Sequence, residues 1–377
     1  MKIAFIGQKG FPATFGGVEY HVDALSRGLL DLGHEVDVYV RSWYTPKDIK
    51  NYRGIRLVHV PTIRTKHLDA FIHSFFCSIH SIFQKNDIIH YHAIGPSFFS
   101  CIPRLFGKKI VATVHRLDWQ TEKWGKLAKI FLKIGEYISI SVPYRTIVVS
   151  EELKHYFQSK YGKQTVHIPN GIDLPELRPP SLIIEKYGLT GKDYVLFMGR
   201  LVPEKRVDWL INAFQSLSSS SSQSGIVKLV IAGGSSATNK YVQKLKGLSQ
   251  GNPRIVYTGF VTGFEKEELL SNALIFVLPS YLEGFPIALL EARGYGVCCL
   301  ASNIPPHQEA IRDGVDGLLF DCHDFSDLTL KLRMIINDPL KRETIGKNAR
   351  EQTRKRPNWI EVARQTEKVY RELVRAS

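Results

Sequence analysis

The sequence predicts an α/β protein with two doubly wound parallel sheets, on three observations. Short apolar runs alternate with helical patterns along nearly the whole chain. A Pro-rich stretch carrying Asn170-Gly171, "VHIPNGIDLPELRPP" (166–180), interrupts that alternation, which then restarts. The chain has 377 residues, enough for two domains at roughly 100–200 residues each.

In the first half, "KIAFIG" (2–7), "EVDVYV" (35–40), "IRLVHV" (55–60), "DIIHYH" (87–92), "KIVATVH" (109–115) and "RTIVVS" (145–150) read as strands. Helical patterns lie between them at 18–32, 67–83, 97–105, 123–140 and 151–160. In the second half the strands are "YVLFMGR" (194–200), "VKLVIAGG" (227–234), "RIVYTGF" (254–260), "ALIFVLPS" (273–280), "VCCLAS" (297–302) and "GLLF" (317–320). Helices fit at 206–217, 240–249, 265–271, 286–294 and 324–337, and the serine run 218–222 reads as a flexible surface loop. A last helix, 358–374, carries Trp359, Val362, Val369 and Leu373 near one face. The expected division is 1–175, 176–357 and a terminal helix 358–377.

Composition narrows the function. Hydrophobic residues are 44% and charged residues 23%, ordinary for a globular protein. The five cysteines (77, 101, 298, 299 and 322) include no C-x-x-C, which argues against a disulfide framework or zinc site and for a reducing cytoplasm. Met1-Lys2 leads straight into a strand, unlike a signal peptide. No apolar run approaches the ~20 residues of a spanning helix. The net charge is +14, and residues 104–163 hold 12 Lys or Arg against 5 Asp or Glu. Such a stretch suits anionic lipid, phosphates or nucleic acid, the alternative being a merely soluble basic surface. Within it, "WQTEKWGKLAKIFLKIGEYI" (119–138) sets Trp119, Trp124, Leu127, Ile130, Phe131 and Ile134 at helical spacing. Lys123, Lys126, Lys129 and Lys133 flank them, a pattern of a helix in a lipid interface. The alternative is an ordinary helix whose apolar face meets the sheet.

Ligands of open parallel sheets sit beyond the carboxyl ends of strands. "GQKGFPATFGG" (7–17) follows the first strand. It is not a dinucleotide fingerprint, but Gly16-Gly17 before a helix lets backbone N–H groups approach a phosphate. In "GRLVPEKRVD" (199–208), Arg200 and Lys205 supply two cations at a strand end, suited to a diphosphate; surface salt bridging is the default for Arg206. In "EGFPIALLE" (283–291), Glu283 lies in a loop, Pro286 opens a helix and Glu291 lies in its second turn. Carboxylates accept hydrogen bonds from diols, so Glu283 is assigned to sugar hydroxyls and Glu291 to a ribose. Gly284, Phe285, Pro286 and Ile287 form the intervening N-terminus. "AGG", with Gly233, and "TGFV", with Phe260 and Val261, end strands and can frame a nucleotide base. His115 in "TVHRLDWQ" ends a strand of the first half. His34, His90 and His92 read as turn and strand residues.

At these residues the chain resembles the bacterial glycosyltransferases of family 4, the retaining group 1 enzymes. The E-x7-E element is Glu283 to Glu291, the donor-phosphate pair is Arg200 and Lys205, the Gly-Gly loop is Gly16-Gly17, and "IPNGID" (168–173) marks the domain crossover. The opening "IGQKGFPATFGGVEYHV" is similar to a subgroup of cell-surface polysaccharide assembly. The resemblance implies the GT-B fold, two Rossmann-like domains with a cleft between them. The N-terminal domain would take the acceptor and the C-terminal domain the nucleotide sugar. It implies transfer of a sugar from a nucleotide diphosphate sugar to a hydroxyl, on a lipid-linked saccharide, with the anomeric configuration retained. His115, Glu283, Arg200 and Lys205 would be catalytic. The chain has no D-x-D, so no metal or cofactor is expected, and no nucleic-acid partner. The expected location is the cytoplasm, peripheral on the inner membrane face. Two alternatives remain: a nucleotide-sugar epimerase of the same fold, and a non-catalytic membrane-associated partner.

Overall fold

The computed structural model describes residues 1–14, 16–63, 65, 68–217, 227–234 and 239–375. The serine run 218–222 and the first residue of the helix expected from 67 lie outside these. The chain divides into two compact units, Met1–Gly171 with Pro357–Ser377, and Ile172–Arg356. The division falls a few residues before the position 175 read from the sequence, and the terminal helix groups with the first unit.

The first unit has strands β1 (Lys2–Ile6), β2 (Glu35–Val40), β3 (Asn51–Tyr52), β4 (Ile55–His59), β5 (Ile88–His92), β6 (Ile110–Val114), β7 (Arg145–Val148) and β8 (Val166–His167). They form one sheet in the order β3-β4-β2-β1-β5-β6-β7-β8, parallel throughout except for β3. Its helices are α1 (Gly17–Asp31), α2 (Leu68–Ile82), α3 (Ile94–Ser97), α4 (Cys101–Leu105), α5 (Lys126–Ser141) and α6 (Glu151–Tyr161). Successive strand residues point to opposite faces, and both faces of β1 are covered. Ile3 and Phe5 pack with Val22, Leu25 and Leu29 of α1 and with Val362, Val369 and Tyr370 of the terminal helix. Ala4 and Ile6 pack with Tyr39, Cys77, Ile89 and Tyr91. Two-sided burial is why "KIAFI" is an unbroken apolar run.

The helix expected over 97–105 is instead α3, a 3₁₀ turn at Phe98–Ser100, and α4. Pro103 lacks an N–H, so a continuous helix would lose a bond there and the chain restarts its turn. The helix expected from 123 begins at Lys126, after Gly125 as N-cap.

The second unit has β9 (Tyr194–Met198), β10 (Lys228–Ala232), β11 (Ile255–Gly259), β12 (Ile275–Leu278), β13 (Cys298–Ser302) and β14 (Leu318–Phe320), all parallel, in the order β11-β10-β9-β12-β13-β14. Its helices are α7 (Leu182–Tyr187), α8 (Val207–Leu217), α9 (Asn239–Leu248), α10 (Gly263–Asn272), α11 (Ile287–Gly294), α12 (Pro305–Gln308), α13 (Phe325–Asn337) and α14 (Pro339–Arg354); α15 (Trp359–Arg375) closes the chain. Pro286 is the N-cap of α11, in extended conformation, rather than its first residue. Both sheets have the doubly wound order. The direction of winding reverses between β1 and β5 in one and between β9 and β12 in the other, and such switch points open a crevice beyond the strands' carboxyl ends.

Candidate functional site

The second unit's sequence-marked residues gather at its switch point. Gly199 and Arg200 follow β9, Lys205 ends a short 3₁₀ turn, and Glu283 lies in the loop after β12. Lys205 Nζ donates to the Glu283 carboxylate, so the ion pair bridges the two loops that flank the crevice. Both side chains are largely buried, at 14% and 9% exposure. Burial alone would raise the Glu283 carboxyl's pKa; Lys205 and the nearby His307 outweigh it and hold it below the ordinary carboxylate value. His307 sits in α12 with Nδ1 2.8 Å from the Ser302 carbonyl, and burial pushes its pKa down to about 4 despite Glu283. Glu291, also buried, accepts from Lys266 Nζ at 2.6 Å. Each carboxylate of the E-x7-E element therefore has a lysine partner.

The floor of this crevice is backbone. Gly199 N–H donates to the Ala232 carbonyl at 2.9 Å, Leu201 N–H to Gly234 at 3.0 Å and Gly233 N–H to Gly259 at 2.7 Å. Gly233 has φ 142°, and a Cβ there would lie 1.8 Å from the Gly199 carbonyl oxygen. Only glycine satisfies both conditions. Phe260 is half-exposed and its ring rests on Gly234; Val261 follows it. Phe285 is buried under the Arg356 guanidinium, next to the Pro286 cap and Ile287, with Gly284 between Glu283 and Phe285. Arg206, assigned from sequence to surface salt bridging, instead donates to the Cys322 carbonyl and stacks on Trp209 and Tyr281. It braces the loop.

In the first unit the crevice residues are histidines. His92 ends β5 and His115 follows β6, on neighbouring strands. His92 Nδ1 lies 3.0 Å from His115 Nε2. His21, from α1, stands edge-on to His115 with ring centroids 4.7 Å apart, and its Nδ1 is 2.7 Å from Asn170 Oδ1. Burial, then neighbouring histidines, holds His92 and His115 well below the ordinary imidazole value, and burial pushes His21 down to about 4. All three are neutral at pH 7. His21, His92 and His115 each offer a ring nitrogen within 4.8 Å of the others, the only such metal-capable group among the described residues. His92 Nδ1 and His115 Nε2 are within hydrogen-bond distance of each other, and a neutral imidazole can serve either as a hydrogen-bond partner or as a metal ligand. Gly16 caps α1 at φ 102° and Gly17 is its first residue; the Glu19 carboxylate lies against Gly16 and accepts from Lys9 N–H at 3.1 Å.

Sequence reasoning missed His21, His92, Lys266 and His307. His92 had a usable signal, since it ends a strand as His115 does. His21 and Lys266 sit in helical patterns without one, and His307 lies in a stretch where no element was expected.

A model of the group 1 glycosyl transferases matches residues 181–352, and a model of Glycosyltransferase Family 4 matches residues 15–176. A glycosyltransferase of Methanocaldococcus jannaschii is 26% identical, with 98% of each chain covered. The UDP-Gal:alpha-D-GlcNAc-diphosphoundecaprenol alpha-1,3-galactosyltransferase of Escherichia coli is 26% identical over 71% of this chain and 70% of its own. The crystal structure of Anabaena HepE in complex with UDP-glucose superposes with a TM-score of 0.81 at 19% identity, covering 99% of this chain and all of the other. The two family models, one on each doubly wound unit, identify a GT-B glycosyltransferase. The chain belongs to family 4, with the group 1 region forming its second unit.

Proposed function

We propose that this glycosyltransferase moves a sugar from a nucleotide diphosphate sugar to a hydroxyl of a lipid-linked saccharide in surface polysaccharide assembly, with retention and without a metal. The observation that carries the reading is the Lys205–Glu283 ion pair across the switch point of the second unit. It holds a buried cation ready for a leaving diphosphate and a carboxylate ready for sugar hydroxyls. The UDP-glucose bound by HepE and the diphosphoundecaprenol acceptor named for the E. coli relative support donor and acceptor class.

In this reading Arg200 and Lys205 bind the diphosphate, with Glu291 on the ribose and Gly233, Phe260 and Val261 around the base. The bond from C1 to the diphosphate oxygen breaks, and negative charge grows on the leaving group. Fixed cations in a dry site lower that barrier by roughly 2–4 kcal/mol each. The acceptor oxygen bonds to C1 on the same face, and its proton passes to a diphosphate oxygen. Glu283 holds the sugar hydroxyls while this happens.

Incubation with nucleotide sugars, with and without a polyprenyl-diphosphate saccharide, tests the reading. An α-linked product from an α-linked donor, formed in EDTA, is expected. Inversion, or activity lost to EDTA and restored by manganese, overturns the mechanism. An epimerase would convert the donor without acceptor, and a non-catalytic partner would leave it intact.

A further inference from the structure

Helix α2 is inside out. Its buried residues are His73, Ser74, Cys77, Ser78 and Ser81, while Leu68, Phe71, Phe75 and Phe76 face outward at 36–51% exposure. The polar side bonds to the sheet: the Ser78 hydroxyl is 2.7 Å from the Tyr91 hydroxyl, and Nδ1 of the half-buried His80 is 2.9 Å from that of Tyr39. The polar docking leaves the phenylalanines no place in the core.

They continue onto α5. Phe71 packs against Phe131 with tilted rings and centroids 5.3 Å apart, so the two helices share a seam. Beyond it α5 exposes Leu127, Ile130, Ile134 and Tyr137. Trp119 and Phe131, which sequence spacing had put on the greasy face, turn inward instead. Trp119 Nε1 donates to Glu136 at 2.5 Å, and Phe131 packs on Phe98.

The charges divide in the same way. Glu136, the one carboxylate of α5, is fully buried and also accepts from Tyr156, Lys160 and Tyr161. Asp69, the one carboxylate of α2, pairs with Arg41 at 3.2 Å. What α5 shows outward is Lys126 and Lys133 beside Lys129, and neither Lys126 nor Lys129 forms an ion pair among the described residues.

We infer that α2 and α5 together form a docking face for an anionic lipid bilayer, with the α2 phenylalanines entering the acyl boundary and the α5 lysines meeting the headgroups. An apolar face flanked by the α5 lysines, with the carboxylates of both helices withdrawn, is complementary to that surface. The purpose of the face rests on the proposed lipid-linked acceptor; the face itself stands on burial and charge. No described helix is long and apolar enough to cross a membrane, so the contact is interfacial.

Sedimentation with phosphatidylcholine vesicles, with and without phosphatidylglycerol, tests the inference and needs no sugar substrate. The full chain should pellet with the anionic vesicles at low salt and leave them at high salt. Phe75→Ser with Phe76→Ser should weaken binding at least tenfold while the thermal melt stays intact. Lys126→Gln, Lys129→Gln and Lys133→Gln together should abolish the salt dependence. Unchanged binding by the phenylalanine variant overturns the inference, as does wild-type protein left in the supernatant. So does a dimer in solution that the phenylalanine variant dissolves, since the face would then belong to a second copy. Donor titration on the same variants judges the transferase reading separately.

Discussion

His92 Nδ1 lies 3.0 Å from His115 Nε2, and the Nε2 of His92 is buried with no hydrogen-bond partner. A buried N–H without an acceptor is rarer than a bare lone pair, so the His92 proton belongs on Nδ1. His92 then donates, His115 accepts at Nε2, and the proton of His115 sits on Nδ1. The next residue, Ala93, is held at φ 73° and ψ 156°, a region that costs a non-glycine residue about 1–3 kcal/mol. Its N–H bonds the Thr113 carbonyl at 2.9 Å, fixing the end of β5 beside β6. His92→Asn keeps a donor near the Nδ1 position and should retain most turnover. His92→Leu leaves His115 unfixed and should lose about 1–3 kcal/mol of transition-state stabilisation, roughly 10–100-fold. Nitrogen-15 spectra of the imidazoles should show an unprotonated Nε2 on His115 in wild type. Equal activity of both variants would remove His92 from this role.

The buried histidines set an acid limit on stability. His21 and His307 are each held at about 4, chiefly by burial. The unfolded chain takes up their protons near the ordinary value, and the folded chain does not. Their contribution is therefore complete above about pH 6.5 and is lost as pH falls toward 4. By pH 5 the loss is about 2 kcal/mol for His21 alone. Glu283 and Glu136 are shifted down, so their contribution fades only below the ordinary carboxylate value. Urea midpoints at pH 7, 6 and 5 should fall across this range, before Glu283 and Glu136 titrate. A flat midpoint from pH 7 to 5 would contradict neutral burial.

Lys205→Met strands the Glu283 carboxylate in a buried site. The expected cost is roughly 3–5 kcal/mol of stability, together with about 10²–10³ in rate. Adding Glu283→Gln should recover most of the stability and none of the rate. Arg200→Ala should lose comparable turnover at smaller cost to the fold. Thermal melts beside single-turnover rates separate the two effects. If the double variant regains activity, the lysine serves only to neutralise the glutamate. Glu283→Gln alone should slow the chemical step, and Glu291→Gln should weaken donor binding.

Both sheets were legible because strands buried on two faces, such as β1 and β12, write unbroken apolar runs. α14 was not, because this sixteen-residue helix buries only Ile345, Gly346, Ala349 and Thr353 and so shows no apolar stripe. α2 was legible as a helix but not in orientation: periodicity finds an apolar face and cannot say that Tyr39 and Tyr91 will claim the polar one. At the site, Lys205 and Glu283 could be picked out singly, yet their pairing needs the strand order, which no local pattern carries. His21 looked like any polar residue of an amphipathic helix.

Gly233→Ala tests whether the backbone floor of the second unit matters for the donor. The methyl group would meet the Gly199 carbonyl at 1.8 Å while the residue sits at φ 142°, so two backbone segments must part. The strain alone is about 1–3 kcal/mol. The Gly199–Ala232 and Gly233–Gly259 hydrogen bonds join the ends of β9, β10 and β11, so displacement there reaches Arg200 directly. The second unit's core, with Leu196, Ile231, Val277 and Leu300 fully buried, lies further down the strands and should survive. The expected variant is folded, less stable, and binds nucleotide sugar at least tenfold more weakly by isothermal titration. Gly247→Ala, in α9 with open space around its Cβ, is the control and should change neither. Wild-type donor affinity in the Gly233 variant would place the nucleotide away from these strand ends.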